Sequence, residues 1–444
     1  MPYRDTVRSR ELYRRAQELI PGGTQLISRR PSRYAAGISP AYAARARGAR
    51  FWDVDENEYI DWASGIGAII LGYCDPAVDA AVLEQISNGI GYSISHPLEI
   101  ELAEELIRTI PCAERVRYTR AGGEACAVAA RIARGATGRD RILFCGYHGW
   151  HDWYLAANLA DDGTLDSHLF PGIEPIGVPR ALAGTSLPFR YGDIEHLSEL
   201  LAAHEGTVAA VFMEPLRSSL PPVGYLEQVR ELCSRHGVVL VFDEVSTGFR
   251  MAPGGVQEAL GVTPDLAIFA KSISNGYAMG AVVGRKAVMD AADPMFISST
   301  SWSEPIGLAA ALTTLREIRA RNAPAQLAAF GRELQVAISA AAASAGLPAV
   351  CAGLPTHPVL QYLEGAQPHA AQLSTLYIQE MARRGCHGYA GFVLNTAQGA
   401  AELEQTVTAA GEVFRVMATA LDAGSLDSAI ECDLSRDAFR RLVS

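Results

Sequence analysis

The chain has 444 residues, which is too many for one small core and enough for a large domain with a smaller one. Apolar residues make up 49% and charged residues 20%, as in ordinary soluble globular proteins. The formal net charge of -11 argues against a general nucleic-acid binder, because neutralising phosphates requires clustered Lys and Arg.

The first twenty residues predict an amphipathic helix that ends at Pro21. They are rich in Arg but include three acidic residues and no continuous apolar stretch, so neither a secretory signal nor a transit peptide is expected. No stretch of about twenty apolar residues is free of Gly, Pro and charge, so no membrane span is expected either.

The cysteines predict reduced thiols in a cytoplasmic protein. Their scattered spacing, without a CxxC pair, fits neither a zinc site nor a disulfide framework. The eight are Cys74, Cys112, Cys126, Cys145, Cys233, Cys351, Cys386 and Cys432.

The middle of the chain alternates short apolar runs with helical patterns, which predicts an α/β fold with a mostly parallel sheet and helices on both faces. Ligands in such folds bind beyond the carboxyl ends of the strands. The predicted strands are Val116–Thr119, Arg141–Cys145, Val208–Met213, Val238–Phe242 and Leu266–Phe269, and the helices between them include Ala125–Arg134, Ile194–His204 and Leu226–His236.

Both ends of the chain differ in character from the middle and predict a second, smaller domain. Its later part contains an Ala-rich helix (Pro324–Gly346), strand-like pieces (His357–Tyr362 and Gly391–Leu394) and a long helix from about Ala400. The predicted division is 1–60 and 319–444 for the small domain and 61–318 for the large one.

Two ionisable residues follow predicted strands. Asp243 comes directly after the strand Val238–Phe242, where a carboxylate can bind a metal, act as a base or pair with a cationic ring nitrogen. Lys271 lies just past Leu266–Phe269, where Lys is unusual. The alternatives for Lys271 are a nucleophile, a surface side chain or an ion pair with Asp265.

Two glycine-rich segments are candidate phosphate-binding loops. Gly122 and Gly123, in TRAGGEA, follow a strand and precede a helix, so the amides at the helix start are placed to hold a phosphate. The segment GIGAIILG has Ile70 where a dinucleotide loop needs its third glycine, which counts against a nicotinamide enzyme.

The segment GYHGWHDW follows the strand Arg141–Cys145 and is dense in aromatic residues. Core packing is the default interpretation, but two His and an Asp are uncommon in a core. Stacking on a flat heteroaromatic ligand is the functional alternative.

The ordered set AGGEA, YHG, MEP and FDEVSTGFR, with a Lys 28 positions after Asp243, resembles class III pyridoxal-phosphate-dependent aminotransferases, in particular the glutamate-1-semialdehyde 2,1-aminomutase-like branch. The resemblance extends from PGGTQ to the last helix. It implies a fold type I enzyme that uses pyridoxal 5'-phosphate and works as a homodimer with shared active sites.

The resemblance also implies a role for individual residues. Lys271 would carry the cofactor as a Schiff base, and Asp243 would bond to its ring nitrogen. The cofactor site would further include Gly122 and Gly123 at the phosphate, Tyr147 and Val245 on the two ring faces, His148, Glu214 at the ring edge, and Thr300 reaching the phosphate of the neighbouring subunit.

The sequence departs from the family pattern at several positions. The phosphate loop usually reads SGTE, so Ala121 and Gly123 lack two hydroxyl donors, and weaker cofactor retention is expected. The aminomutase pattern has Trp at Ile66, Ser-Pro-Val-Arg at residues 26–29 and Glu near Ala390. Because these are substrate-side positions, isomerisation of glutamate 1-semialdehyde is doubtful.

The leading prediction is a transaminase that moves an amino group between an amino-acid donor and an aldehyde or ketone acceptor. The acceptors that the resemblance suggests are amino-sugar or secondary-metabolite precursors. The alternatives are an aminomutase or racemase, and a cofactor-binding protein without catalysis. Arg29, Trp150 and Arg217 are the candidate substrate residues. The expected partners are small-molecule amines and carbonyl compounds, with neither nucleic acid nor membrane, and no metal site is predicted.

Overall fold

The computed structural model describes residues 4–159 and 173–435. The helices in these residues are α1 (Val7–Leu19), α2 (Ser64–Gly67), α3 (Pro76–Asn88), α4 (Leu98–Thr109), α5 (Gly122–Thr137), α6 (Asp152–Leu155), α7 (Ile194–Ala203), α8 (Tyr225–His236), α9 (Val256–Leu260), α10 (Lys286–Met289), α11 (Pro305–Ala320), α12 (Ala323–Ser344), α13 (Ala370–Arg383), α14 (Ala400–Asp422) and α15 (Leu426–Ala429). The strands are β1 (Ala43–Arg47), β2 (Arg50–Asp53), β3 (Glu58–Asp61), β4 (Arg115–Thr119), β5 (Arg141–Cys145), β6 (Ser186–Pro188), β7 (Val208–Met213), β8 (Val239–Asp243), β9 (Leu266–Phe269), β10 (Gly280–Gly284), β11 (Ala349–Leu354), β12 (His357–Tyr362) and β13 (Cys386–His387).

These residues form two compact units. The larger unit contains residues 76–159 and 173–324, and the smaller one contains residues 4–75 and 325–435. The domain boundaries predicted after residues 60 and 318 stay a prediction.

The larger unit is built on a seven-stranded sheet with the order β4-β10-β9-β8-β7-β5-β6. Strand β10 runs antiparallel to both of its neighbours, and the pairs from β9 to β6 are parallel. The α/β fold with a mostly parallel sheet is therefore confirmed. The five strands that the sequence predicted all lie in this sheet, with ends that differ by at most one residue.

Side chains alternate between the two faces of this sheet, as a two-residue period requires. Phe144, Phe212 and Val241 pack on one face with Ala129 and Ile132 of α5. On the other face, alternate strand residues pack with α7 and α8; they include Leu143, Val211, Leu240 and Phe242. Burial on both faces explains why these strands read as continuous apolar runs.

The smaller unit contains a four-stranded sheet, β1-β2-β3-β13, and the hairpin β11-β12. The prediction of a strand at Gly391–Leu394 is wrong. Phe392 N–H donates to Pro358 O and Val393 N–H donates to Trp62 O, both at 2.8 Å. Because consecutive amides bond to two different segments, no ladder forms, and Gly391 makes only isolated bridges.

Within the described ranges, no helix has the length and apolar character needed to cross a membrane.

Candidate active site

Four neighbouring strands of the large sheet carry predicted site residues at their carboxyl ends. In spatial order these are β9, β8, β7 and β5. Lys271 lies two residues beyond β9, Asp243 ends β8, Glu214 follows β7, and Tyr147 and His148 follow β5. The tertiary structure therefore brings residues that are up to 124 positions apart in sequence to one edge of the sheet, where ligands bind in this class of fold.

Asp243 is only 4% exposed, and its carboxylate is held by three donors. Oδ1 accepts the amide N–H of Val245 at 3.0 Å. Oδ2 lies 2.8 Å from Nδ1 of His148 and accepts the thiol of Cys126 at 3.4 Å. Burial and the neighbouring Asp243 raise the pKa of the Cys126 thiol well above its usual value, so this group stays a protonated donor. The carboxylate therefore has a fixed orientation.

His148 is fully buried, and both of its ring nitrogens face acceptor oxygens. Nδ1 faces the Asp243 carboxylate, and Nε2 lies 3.2 Å from the carbonyl oxygen of Cys145. The two contacts fix the orientation of the ring, and Nδ1 as an N–H donor satisfies the Asp243 carboxylate.

Lys271 begins a 3₁₀ turn, Lys271–Ser274, with a left-handed backbone angle φ of 49°. This conformation is uncommon for a residue with a side chain. Its Nζ atom donates to Oγ of Ser246 at 2.7 Å. Asp265, the alternative partner considered for Lys271, accepts from Arg230 at 2.8 Å and from Arg285 at 3.0 Å.

The predicted phosphate loop packs against the segments that carry Asp243 and Lys271. A Cβ atom at Gly122 would lie 3.0 Å from Cγ1 of Val245 and 3.5 Å from Cβ of Ala270. The Glu124 side chain accepts the amides of Arg120 and Ala121 at 2.9 and 3.1 Å. The amides in the first turn of α5 have no acceptor within the helix, so they are suited to an anion.

His151 occupies the space beside Gly123. A Cβ atom at Gly123 would lie 3.2 Å from Cε1 and 3.3 Å from Nδ1 of the His151 ring. Burial lowers the pKa of this imidazole, although Glu124 and Asp152 act in the opposite direction. An imidazole therefore lies where the family pattern has a threonine side chain.

Glu214 and Arg217 form a buried ion pair beyond β7. Oε2 of Glu214 lies 3.6 Å from an Nη atom of Arg217, and the two side chains are 5% and 9% exposed. The guanidinium also lies over the ring of Tyr191, at 5.7 Å from its centre. Gly146 has a φ of 116°, and a Cβ there would lie 2.6 Å from Oε2, so only glycine fits beside Glu214.

The remaining predicted residues have diverse surroundings. Tyr147 is partly buried against the α5 face of the sheet. Trp150 is 70% exposed and stacks on His151 at 4.4 Å between ring centres. Thr300 and Arg29 are exposed, and Arg29 belongs to the smaller unit.

Neither Ser246 nor Cys126 was predicted as a site residue. Ser246 is the variable position of the FDEVSTGFR motif, and its place three residues after Asp243 was the available signal. Cys126 lies on the inner face of α5, four residues after Gly122, and resembled an ordinary core thiol. No local pattern relates Ser246 to Lys271 or Cys126 to Asp243.

A family model described as aminotransferase class-III matches residues 34–350. The chain belongs to the class III aminotransferases. A 3-aminobutyryl-CoA aminotransferase from Cloacimonas acidaminovorans (strain Evry) is 34% identical over 396 residues, which cover 86% of this chain and 91% of that protein. A glutamate-1-semialdehyde 2,1-aminomutase from Citrifermentans bemidjiense is 33% identical over 434 residues, covering 92% and 99%.

Solved structures agree with this class III assignment. The FumI protein of Sphingopyxis sp. MTA144, in its PLP internal aldimine form, has a TM-score of 0.84 at 27% identity, and the match covers 94% of this chain and 98% of that one. An omega-transaminase from Sphaerobacter thermophilus has a TM-score of 0.80 at 29% identity, covering 92% and 97%. The fold is thus fold type I, and pyridoxal phosphate is the cofactor of this class III enzyme.

The residues present fit that cofactor. Asp243 is a buried, oriented carboxylate, Lys271 supplies a primary amine from the next strand, and Gly122 leaves a space at the start of α5 that a Cβ would fill. Asp243 suits the cationic ring nitrogen of the cofactor, Lys271 suits its aldehyde, and the space at Gly122 suits its phosphate.

Proposed function

We propose that the protein is a transaminase that moves an amino group from an amino-acid donor to an aldehyde or ketone acceptor, with pyridoxal phosphate attached to Lys271 as a Schiff base. The observation that carries the proposal is that Asp243 and Lys271 lie at the carboxyl ends of the adjacent strands β8 and β9, with Gly122 against the segments that hold both. When bound, the cofactor supplies a ring that accepts the electrons of a broken Cα–H bond.

Asp243 keeps the ring nitrogen protonated through a charge-assisted hydrogen bond. Val245, His148 and Cys126 hold its carboxylate in one orientation, so little reorganisation is needed when the ring binds. Because both nitrogens of His148 already have protein partners, His148 acts on the cofactor through Asp243.

Lys271 would hold the cofactor covalently, and its amine, when free, would move a proton between the substrate Cα and the cofactor C4′. Positioned proton transfer of this kind contributes about 10²–10⁴-fold to a rate. Lys271 has a left-handed backbone, and its side chain reaches Ser246 in the loop after β8.

We assign the phosphate to the amides of Gly122 and Gly123 at the start of α5. Tyr147 and Val245 would contact the two faces of the ring, and Glu214 would lie at its edge. Cγ1 of Val245 lies 3.0 Å from the position that a Cβ at Gly122 would occupy. This distance supports a position of Val245 beside the phosphate end of the ring.

We also propose a cytoplasmic homodimer in which Thr300 reaches the phosphate held by its partner. Arg120 ties the segment after Thr300 to the start of α5, since it donates to the carbonyls of Ser301 and Glu304. The larger unit exposes a group of large apolar side chains on α3, on α4 and in the segment between them that a second copy would cover. These are Leu83, Ile86, Ile90, Ile94 and Ile100.

Residues 61–318 are proposed as the cofactor-binding domain, and residues 1–60 and 319–444 as the smaller domain. Arg29, Trp150 and Arg217 remain the proposed substrate residues. Exposure of Arg29 leaves its guanidinium accessible to a carboxylate, and exposed Trp150 presents a flat surface for a ring. Arg217 is buried beside Glu214, so a carboxylate substrate would compete with that pair.

An aminomutase is the second candidate, because curated relatives of that activity align over 92% of the chain at 33% identity. The departures at Ile66 and Ala390 oppose it. Ile66 has a φ of 60°, and it lies in a turn, Ser64–Gly67, in which all four residues have positive φ. A β-branched residue rarely adopts this conformation, which marks the position as specialised.

The test is a spectrophotometric screen of amine donors against the purified holoenzyme. A transaminase loses its imine absorbance near the visible edge and releases a keto acid from the donor, whereas an aminomutase or racemase releases none. Lys271→Ala should lose that absorbance and nearly all turnover. Retained turnover in this variant would end the proposal, and a wild-type spectrum that no amine changes would favour a non-catalytic binding protein.

A further inference from the structure

Ser246, which has no role in the mechanism proposed for this site, holds the side chain of Lys271. Nζ of Lys271 donates to Oγ of Ser246 at 2.7 Å, across 25 positions of sequence. Ser246 follows β8 and Lys271 follows β9, so the bond joins the ends of two adjacent strands. Both residues are partly buried, which limits competition from water.

The loop that carries Ser246 is anchored on both sides of it. Before Ser246, the amide of Val245 donates to Asp243 at 3.0 Å, and the amide of Glu244 donates to the carbonyl of Ile268 at 2.9 Å. After it, the amide of Gly248 donates to the carbonyl of Glu244 at 2.8 Å. The hydroxyl is therefore a fixed point in the site.

We propose that Ser246 is a positioning residue for Lys271, whose hydroxyl holds the ε-amine in place whenever that amine is not bonded to the cofactor. The inference rests on the proposed function. The hydroxyl oxygen accepts a hydrogen bond from an ammonium or from a neutral amine, so Ser246 stays bonded to Lys271 in both protonation states and leaves the lone pair of the neutral amine free. Alanine cannot accept this bond, and threonine can.

The step that Ser246 assists is the attachment of the cofactor aldehyde. The lone pair of Nζ forms the new bond to the aldehyde carbon, two protons leave the nitrogen, and the carbonyl oxygen departs as one water molecule. An amine held in a single orientation spends less time in unproductive rotamers, because a free Lys side chain has several. Ser246 thus acts on the attachment step and not on the initial binding of the cofactor.

The experiment mixes apoenzyme with pyridoxal phosphate at increasing concentration and follows the imine band. The dependence on concentration separates the dissociation constant of the first complex from the limiting rate of attachment. We expect Ser246→Ala to lower the limiting rate about tenfold, the effect of one hydrogen bond, with the dissociation constant unchanged. Ser246→Thr should restore most of the rate.

Two controls separate positioning from general damage. Pyridoxamine phosphate has no aldehyde, so its affinity should be equal in the wild type and in Ser246→Ala. Ser274→Ala removes a hydroxyl from the same turn as Lys271, where it donates to the carbonyl of Tyr277 at 2.6 Å, and should leave the limiting rate unchanged. If Ser246→Ala does not fold, Ser246→Cys replaces it in the test. Cysteine has a similar size but bonds weakly, so it should lower the limiting rate in the same way.

An attachment rate in Ser246→Ala equal to that of the wild type would overturn the inference and leave the transaminase proposal intact. A wild-type protein that forms no imine band at all would instead remove the proposed function itself.

Discussion

Nδ1 of His148 lies 2.8 Å from Oδ2 of Asp243, and both side chains are almost completely buried. The two residues are 95 positions apart in sequence. His148 follows β5 and Asp243 ends β8, and β7 lies between these two strands in the sheet. A buried carboxylate is costly unless it is paired and hydrogen-bonded, so this contact makes Asp243 tolerable before any cofactor binds.

Replacing His148 should destabilise the apoenzyme. His148→Ala leaves the Asp243 carboxylate with two weaker donors and opens a cavity, and we expect a loss of about 3 kcal/mol in the free energy of unfolding. Urea denaturation at one fixed protein concentration measures this loss. Trp150→Ala is the matched control in the same loop, because Trp150 is 70% exposed and its loss should cost less than about 0.5 kcal/mol. Equal costs for the two variants would contradict the role of His148.

Asp243→Asn should separate cofactor binding from turnover. The amide keeps the shape of the side chain but cannot hold a proton on the ring nitrogen, so we expect the imine band to persist while keto acid release falls by at least about 10²-fold. Asp140→Asn, an exposed position, makes the same chemical change away from the site and should retain full activity. Unchanged keto acid release in Asp243→Asn would remove the role assigned to this carboxylate.

Restoring the hydroxyl of the usual family loop should not strengthen cofactor binding by itself. In Gly123→Thr, the new Cβ would lie 3.2 Å from Cε1 of His151, so the imidazole must move. We expect the affinity for pyridoxal phosphate, from titration of the apoenzyme, to fall several-fold. The double variant Gly123→Thr with His151→Ala removes the clash and should recover affinity. Tighter binding in Gly123→Thr alone would show that His151 yields freely.

Glu244 should make stability depend on pH. Burial raises the pKa of its carboxyl from the ordinary 4.5 to about 7, although the amide of Val256 opposes this from 2.6 Å. The folded state therefore binds this proton more tightly than the unfolded chain. The stability that it contributes is complete below about pH 4.5 and is lost as the pH rises to about 7.

The measurement compares unfolding free energies of the wild type and Glu244→Gln between pH 5 and pH 8. Relative to the glutamine variant, the wild type should lose about 3 kcal/mol over this range. Parallel pH profiles for the two proteins would mean that Glu244 keeps its ordinary pKa.

Of the seven strands in the sheet of the larger unit, β6 and β10 were not predicted from the sequence. Sequence patterns were sufficient for β5, β7, β8 and β9 because these strands are buried on both faces. Continuous apolar runs of four to six residues, separated by helical patterns, have few other stable arrangements. The same reasoning failed at Gly391–Leu394, where the apolar run is short and consecutive amides bond to two different segments. Pairing partners far apart in sequence leave no local signal.

Sequence alone determined which residues are candidates for the proposed reaction: a lysine and a carboxylate after two apolar strands, and paired glycines before a helix. Only the tertiary structure decided how these groups are oriented. It placed His148 and Cys126 on Asp243, Ser246 on Lys271 and His151 beside Gly123. The physical reason is that strand order in the sheet differs from strand order in the chain, so contacts between neighbouring strand ends are set by the packing of the whole unit.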